Sequence, residues 1–260
     1  MSTIAGTGSF SYGGDNGQAT SASLKYPVGV AVDTSGKCTN ADTGSITNLL
    51  TSIGNIYIGD NQNNRVRKVI ALTSVISTIA GTGTPGYSGN GGQATAANIQ
   101  YPHGINLDSS LNVYFGTCCA YNVIRKVTIS TGIISTVAGT GSATGSYNGD
   151  NIQATAATLY YPHDVFLDSY DNLYVCDSYN HRVRKVDVST GLITTLVGTG
   201  TASSTGDGAA ATSANVNTPV FSRLDTAGNL YITESVGNRV RKVVTVTTDV
   251  PTYTPSVAPR

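Results

Sequence analysis

Two histidines, a set of acids and arginines in fixed register, and four cysteines are the residues of this 260-residue chain best suited to chemistry. His103 and His163 follow Pro102 and Pro162 at matching places 60 residues apart. Two imidazoles at one opening suit zinc or copper. The matching positions elsewhere are Val28 and Val220, so any further ligand has to come from another part of the chain. The third histidine, His181, follows Asn180 inside a repeated segment and reads as a packing residue.

The acids recur. Asp60, Asp177 and Glu234 each precede an arginine by five residues: Arg65, Arg182 and Arg239. At the fourth occurrence Thr117 and Val123 stand instead, with one extra residue between them. Acid and base vanish together, as expected of ion pairs, because a buried charge left alone is costly. The pairs Asp60–Arg65, Asp177–Arg182 and Glu234–Arg239 are therefore expected to be structural rather than a ring of catalytic carboxylates. Two further sets recur in all four places: Arg67, Arg125, Arg184 and Arg241, and Asp33, Asp108, Asp168 and Asp225.

Four Gly-rich loops contain Asp15, Asn90, Asp150 and Asp207. Each has at most one carboxylate, too few for calcium, so they read as tight turns. None leads into a helix, so no phosphate loop is implied. No Gly-x-Ser-x-Gly nucleophile elbow occurs. The cysteines (Cys38, the adjacent Cys118 and Cys119, and Cys176) have no metal-ligand spacing, and a vicinal bond, a free Cys176 or fully reduced thiols all stay open. No cofactor is expected, with zinc or calcium the minor alternative.

Composition narrows the partners. Fifteen Lys+Arg balance fifteen Asp+Glu, and charged residues are only 12%. A neutral chain lacks the basic field that nucleic acid or an anionic membrane surface demands. No stretch approaches the ~20 apolar residues of a membrane span. Ser and Thr together number 62, with 30 Gly and 15 Tyr, which favours strands over helices.

The elements that position these residues come from an internal repeat. STIAGTG occurs at residues 2–8 and again at 77–83; STVAGTG follows at 135–141 and TTLVGTG at 194–200. Between these marks lie a Gly-rich loop, a Pro and three short apolar segments, four times over. First strands are expected at 28–33, 103–108, 163–168 and 220–225. Second strands follow at 55–60, 112–117, 172–177 and 229–234, and third strands at 65–69, 123–127, 182–186 and 239–243. The STIAGTG element is the outer fourth strand. Four copies of a four-strand unit signal radial β repetition. An insertion at about residues 37–54 belongs to the first unit alone and is the expected partner-contact loop.

The segments YPVGVAVD, GNIYIGDNQNNRVRKV and YPHDVFLDSYDNLYVCDSYNHRVRKV resemble NHL repeats. The resemblance covers nearly the whole chain apart from the insertion and the tail. It implies an all-β, β-propeller fold, six-bladed in most of the family, whereas this chain carries four repeats. It also brings in a metal-dependent lyase or hydrolase reading through His103 and His163, because some NHL enzymes use channel-facing histidines. Residues 1–248 are assigned to the propeller and 249–260, rich in Pro and Thr, to a tail or linker. The last repeat lacks an outer strand, so residues 2–8 are expected to complete it. They close the ring within the chain or pair with a neighbouring molecule; a fragment of a larger propeller is the third alternative.

The function expected is a non-enzymatic scaffold or recognition module, such as a subunit of an extracellular fibre or surface layer. Its partners are a protein or further copies of itself. A third reading places carbohydrate or peptide at the channel mouth, where Tyr26, Tyr101, Tyr160 and Tyr161 stand near the prolines; packing between blades is the plainer role for them. The chain has no Asn-x-Ser/Thr sequon and no visible secretory signal, and its tail suits O-glycans. Low charge and high Ser/Thr point to the outside of the cell.

Overall fold

Alternating apolar residues and turn signals produce four antiparallel sheets, arranged as the four blades of a β-propeller. The structure is a computed structural model that describes residues 1–33 and 54–244. The insertion, apart from Gly54, and the tail lie outside the described residues.

Blade 1 contains β1 (Gly17–Gln18), β2 (Pro27–Val32), β3 (Ile56–Asp60), β4 (Arg65–Ile70) and β5 (Val75–Ala80). Blade 2 contains β6 (Pro102–Leu107), β7 (Val113–Thr117), β8 (Val123–Thr128) and β9 (Ile133–Ala138). Blade 3 contains β10 (Ile152–Gln153), β11 (Pro162–Leu167), β12 (Leu173–Asp177), β13 (Arg182–Val186) and β14 (Leu192–Val197). Blade 4 contains β15 (Pro219–Leu224), β16 (Leu230–Glu234) and β17 (Arg239–Val243). Each sheet runs in sequence order from the hub outward, and β1 and β10 add a short outermost rung to blades 1 and 3.

The core lies between blades. Tyr57 and Val66 of blade 1 meet Ile105 and Phe115 of blade 2. Tyr114 and Ile124 meet Val165 and Val175 of blade 3. Phe166, Tyr174 and Val183 meet Ile232 of blade 4. Strands β3, β7 and β12 are buried along their whole length because a neighbour or loop covers both faces.

A recurring latch holds each first turn. Asn55, Asn112, Asn172 and Asn229 donate their side-chain N–H to Asp33, Asp108, Asp168 and Asp225 at 2.8–2.9 Å. The outer strands end on a glycine that admits no side chain. A Cβ at Gly81, Gly139 or Gly198 would lie 2.2, 2.4 or 2.3 Å from the carbonyl oxygen of Asn64, Asn122 or His181. From there Gly81, Gly139 and Gly198 donate their N–H to Ala94, Ala154 and Ala211, tying each outer strand to the next blade.

The expectation that residues 2–8 close blade 4 within the chain is corrected. Blade 4 has three strands among the described residues. Gly6 and Thr7 instead donate to the carbonyls of Ala19 and Ala22 on blade 1, at 2.9 Å each. These are the bonds that Gly81 and Thr82 make to Ala94 and Ala97 on blade 2. The opening segment therefore docks as the outer-strand exit of a blade standing before blade 1. Residues 2–4 extend from it, exposed.

The two ends of the arc are open. Val30 of β2 is 65% exposed, whereas its counterparts Ile105, Val165 and Ser222 are 0–2% exposed. Val240 of β17 is 71% exposed, whereas Val66, Ile124 and Val183 at the same register are all 0%.

Candidate functional site

The hub histidines come together. A register shift between Pro162 and Asp164 takes His163 out of the β11 ladder, whereas His103 pairs with Gly116 and the shift in β6 follows it. The rings of His103 and His163 lie 4.8 Å apart. Tyr161 and Phe221 flank His163 at 6.3 and 5.5 Å. Both Nδ1 atoms are buried without a hydrogen-bond partner. Burial, helped by the charge of its neighbour His163, pushes His103 down to about 4. Burial lowers His163 as well, against Asp164 and the Val220 backbone. The pair is neutral at pH 7. Among the described residues no cluster of three His, Cys, Asp or Glu suited to a metal is formed.

Of the four tyrosines, Tyr160 and Tyr161 share a ring partner. Tyr161 stacks on Tyr179 at 4.8 Å and Tyr160 meets the same ring edge-on at 5.2 Å. Tyr26 lies at the open end against Phe10. Tyr101 sits between blades 1 and 2, its N–H on Asn64 Oδ1 at 3.1 Å. Tyr161 repeats that bond to Asn122 at 2.9 Å. Thr218 makes it to His181 Nδ1 at 3.2 Å. His181 thus does the work of an asparagine, linking blade 3 to blade 4. Tyr26, Tyr101, Tyr161 and Thr218 all take positive φ just before proline, so this register is a backbone corner first.

The ion pairs exist with a different partner. Asp60, Asp177 and Glu234 bind Arg67, Arg184 and Arg241 at 3.3, 3.5 and 3.0 Å, not the arginines two residues earlier. Asp60 is directly opposite Arg65 in the ladder, but Arg67 stands two residues along on the same face, deeper in the blade. Arg65 turns to the carbonyls of Asn63 and Thr82 and covers the Tyr12 ring at 3.6 Å. Arg182 does the same with Asn180, Thr199 and Tyr147. Arg239 donates to Ser204 O.

Each deep arginine has a second acid, which the sequence reading missed. Asp15, Asp150 and Asp207, from the Gly-rich loops, lie 2.6, 3.0 and 2.5 Å from Arg67, Arg184 and Arg241. Tyr12 and Tyr147 donate their hydroxyls to Asp15 and Asp150. The signal was a Tyr three residues before Asp15 and Asp150, and before Asn90 too; Ser204 holds that place before Asp207. Burial raises the carboxyls of Asp60 and Asp177, the latter to about 6, despite the guanidinium beside each.

The described cysteines are free. Cys118 and Cys119 stand 3.2 Å apart, and burial pushes the Cys118 thiol up. Cys38 lies outside the described residues. A cleft of about 1070 Å³ opens between blades 3 and 4, lined by Phe166, Tyr174, Arg223 and Leu230. Its one arginine is paired with Asp164 at 2.5 Å.

Residues 159–186 match a family described as the NHL repeat. The chain is 33% identical over 158 residues to teneurin-4 of Mus musculus, covering 51% of this chain and 6% of that one. It is 30% identical over 190 residues to NHL repeat-containing protein 2 of Bos taurus, covering 66% and 25%. The chain spans at most a quarter of either relative's length. Among solved structures, an auxiliary nutrient binding protein from Bacteroides ovatus superposes with a TM-score of 0.59 at 16% identity, over 86% of this chain and 49% of that one. The solved structure speaks to the fold alone.

Proposed function

The chain is an NHL-repeat β-propeller, and from that premise we propose that it is a non-enzymatic scaffold whose partner is a further copy of itself. The carrying observation is the pair of open faces, Val30 on blade 1 and Val240 on blade 4. Each is apolar at a register that elsewhere lies in a blade–blade core. The face of blade 4 is of the kind that the face of blade 1 would meet if the series continued. The contact is heterologous, head to tail, and it need not close. Residues 2–5 supply the outer strand that blade 4 of the neighbour lacks among the described residues, by strand addition. Low charge and the Ser/Thr-rich composition favour an extracellular fibre or surface layer as the setting.

The test is native mass across a range of concentration. Wild type is expected to grow in mass, while Val30→Asp and Val240→Asp are each monomeric. Mixed together, those two variants form a dimer, since each retains the face that the other has lost. Deleting residues 2–5 weakens the wild-type association. A wild-type monomer at every concentration, or dimers of either single variant alone, defeats the proposal.

A further inference from the structure

Blade 2 keeps its deep arginine and has lost both acids. Arg125 is fully buried, like Arg67 and Arg184. Thr117 stands where Asp60 and Asp177 stand, and Asn90 where Asp15 and Asp150 stand. No salt bridge reaches Arg125 among the described residues. Thr117 directs its hydroxyl to the carbonyls of Tyr121 and Val123. Asn90 accepts the Thr136 N–H through its side-chain oxygen. The guanidinium donates one bond, from NH2 to Ser88 O at 3.2 Å, and lies 5.0 Å from the centre of the Tyr87 ring. Its Nε and NH1 have no partner. The Nε of Arg67 and Arg184 is likewise unpartnered. Arg184 NH1 also lacks a hydrogen bond, but in blades 1 and 3 NH1 has a carboxylate 3.3 or 3.5 Å away, and in blade 2 it has none.

In the other three blades a second donor converges on the carboxylate. The carboxylates of Asp60, Asp177 and Glu234 each accept a backbone N–H from the residue two before the inner-strand proline: Lys25, Tyr160 and Asn217. The residue at that register in blade 2 is Gln100. An unpaired charge in a protein interior is costly unless an anion accompanies it.

The geometry points to a binding site for a small monovalent inorganic anion, of the chloride class, held by the Arg125 guanidinium and the Gln100 N–H in the place of the absent carboxylate. The inference is independent of the head-to-tail proposal, since Arg125 is inside a blade.

The experiment uses the full chain and sodium chloride, with sodium bromide and sodium formate as parallel arms, against sodium gluconate at equal ionic strength. At ten times its Kd, an anion that binds only the folded protein raises Tm by about 3–6 °C. Chloride and bromide are expected to give that rise and to saturate, with broadening of the ³⁵Cl resonance by the wild-type protein. Thr117→Asp supplies the carboxylate from the chain itself. It is expected to raise Tm in gluconate and to weaken chloride binding at least tenfold. Arg125→Met removes the donor, but a folding failure there would be uninformative, so the decision rests on Thr117→Asp. Equal Tm in chloride and gluconate overturns the inference. So does an unchanged chloride response in Thr117→Asp, or a response to formate with none to halide.

Discussion

In blade 3 the guanidinium of Arg184 lies between Asp177 and Asp150; in blade 2 the residues at those two places are Thr117 and Asn90, and Arg125 bonds Ser88 O. The strands around them run in the same register, and both arginines are wholly buried. The fold therefore retains the arginine where the acids are absent. Its stem and planar head fill the space beneath the Gly-rich loop, against Tyr87 in blade 2 and Tyr147 in blade 3. The counter-charge is a separate device, present in three blades.

The strongest way to break this comparison is Asp177→Ala. It strips blade 3 of a carboxylate that also accepts from Tyr160 N–H and Asn180. It is expected to cost about 3–5 kcal/mol in urea unfolding, because Arg184 stays buried. A cost below about 1 kcal/mol would mean that the carboxylate matters as little there as in blade 2.

Blades 2 and 3 also differ from blades 1 and 4 in their hub histidines, and pH sharpens that difference. His103 is held near 4 in the folded chain against an ordinary 6.5. Its share of stability is complete above 6.5 and declines as pH falls toward 4, because the unfolded chain takes up the proton first. The loss is up to about 3 kcal/mol, and His103→Asn is expected to flatten that part of the profile. Imidazole titration by NMR checks it directly; a His103 midpoint at or above 6.5 refutes the assignment.

Smaller effects follow from the loop side. Asp150→Asn, which gives blade 3 the residue type of Asn90, is expected to cost about 1–2 kcal/mol, as Arg184 keeps Asp177 and Gly149 O. Tyr147→Phe removes the hydroxyl on Asp150 and is expected to cost about 0.5–1.5 kcal/mol.

Much of the architecture was legible because repetition is a direct imprint of the fold. The expected first strand at 103–108 is β6, Pro102–Leu107, and the other first, second and third strands agree as closely, whereas the outer strands lie two to three residues before the repeated heptads and residues 2–8 form none. The partner of each acid was not legible from spacing. Five residues separate Asp60 from Arg65 across a turn, and the ladder does pair them, but the carboxylate turns along the face to Arg67. Recurrence of Arg67, Arg125, Arg184 and Arg241 in all four units was the better clue, since Val123 shows that the earlier arginine is dispensable. Closure within the chain failed for a related reason. The opening heptad has the composition of an outer strand, and Gly6 and Thr7 make the exit bonds of one, but composition does not say which edge residues 2–5 join, and among the described residues blade 4 keeps three strands.

Asn122 joins two things far apart in sequence. Its carbonyl leaves no space for a side chain on Gly139 at the rim, and its amide holds the Tyr161 N–H beside the histidines. A single methyl added at Gly139 therefore presses on the residue that sets the aromatic shelf of the next blade. Rim and axle are geared together through that one asparagine, so wear at the circumference is felt at the centre.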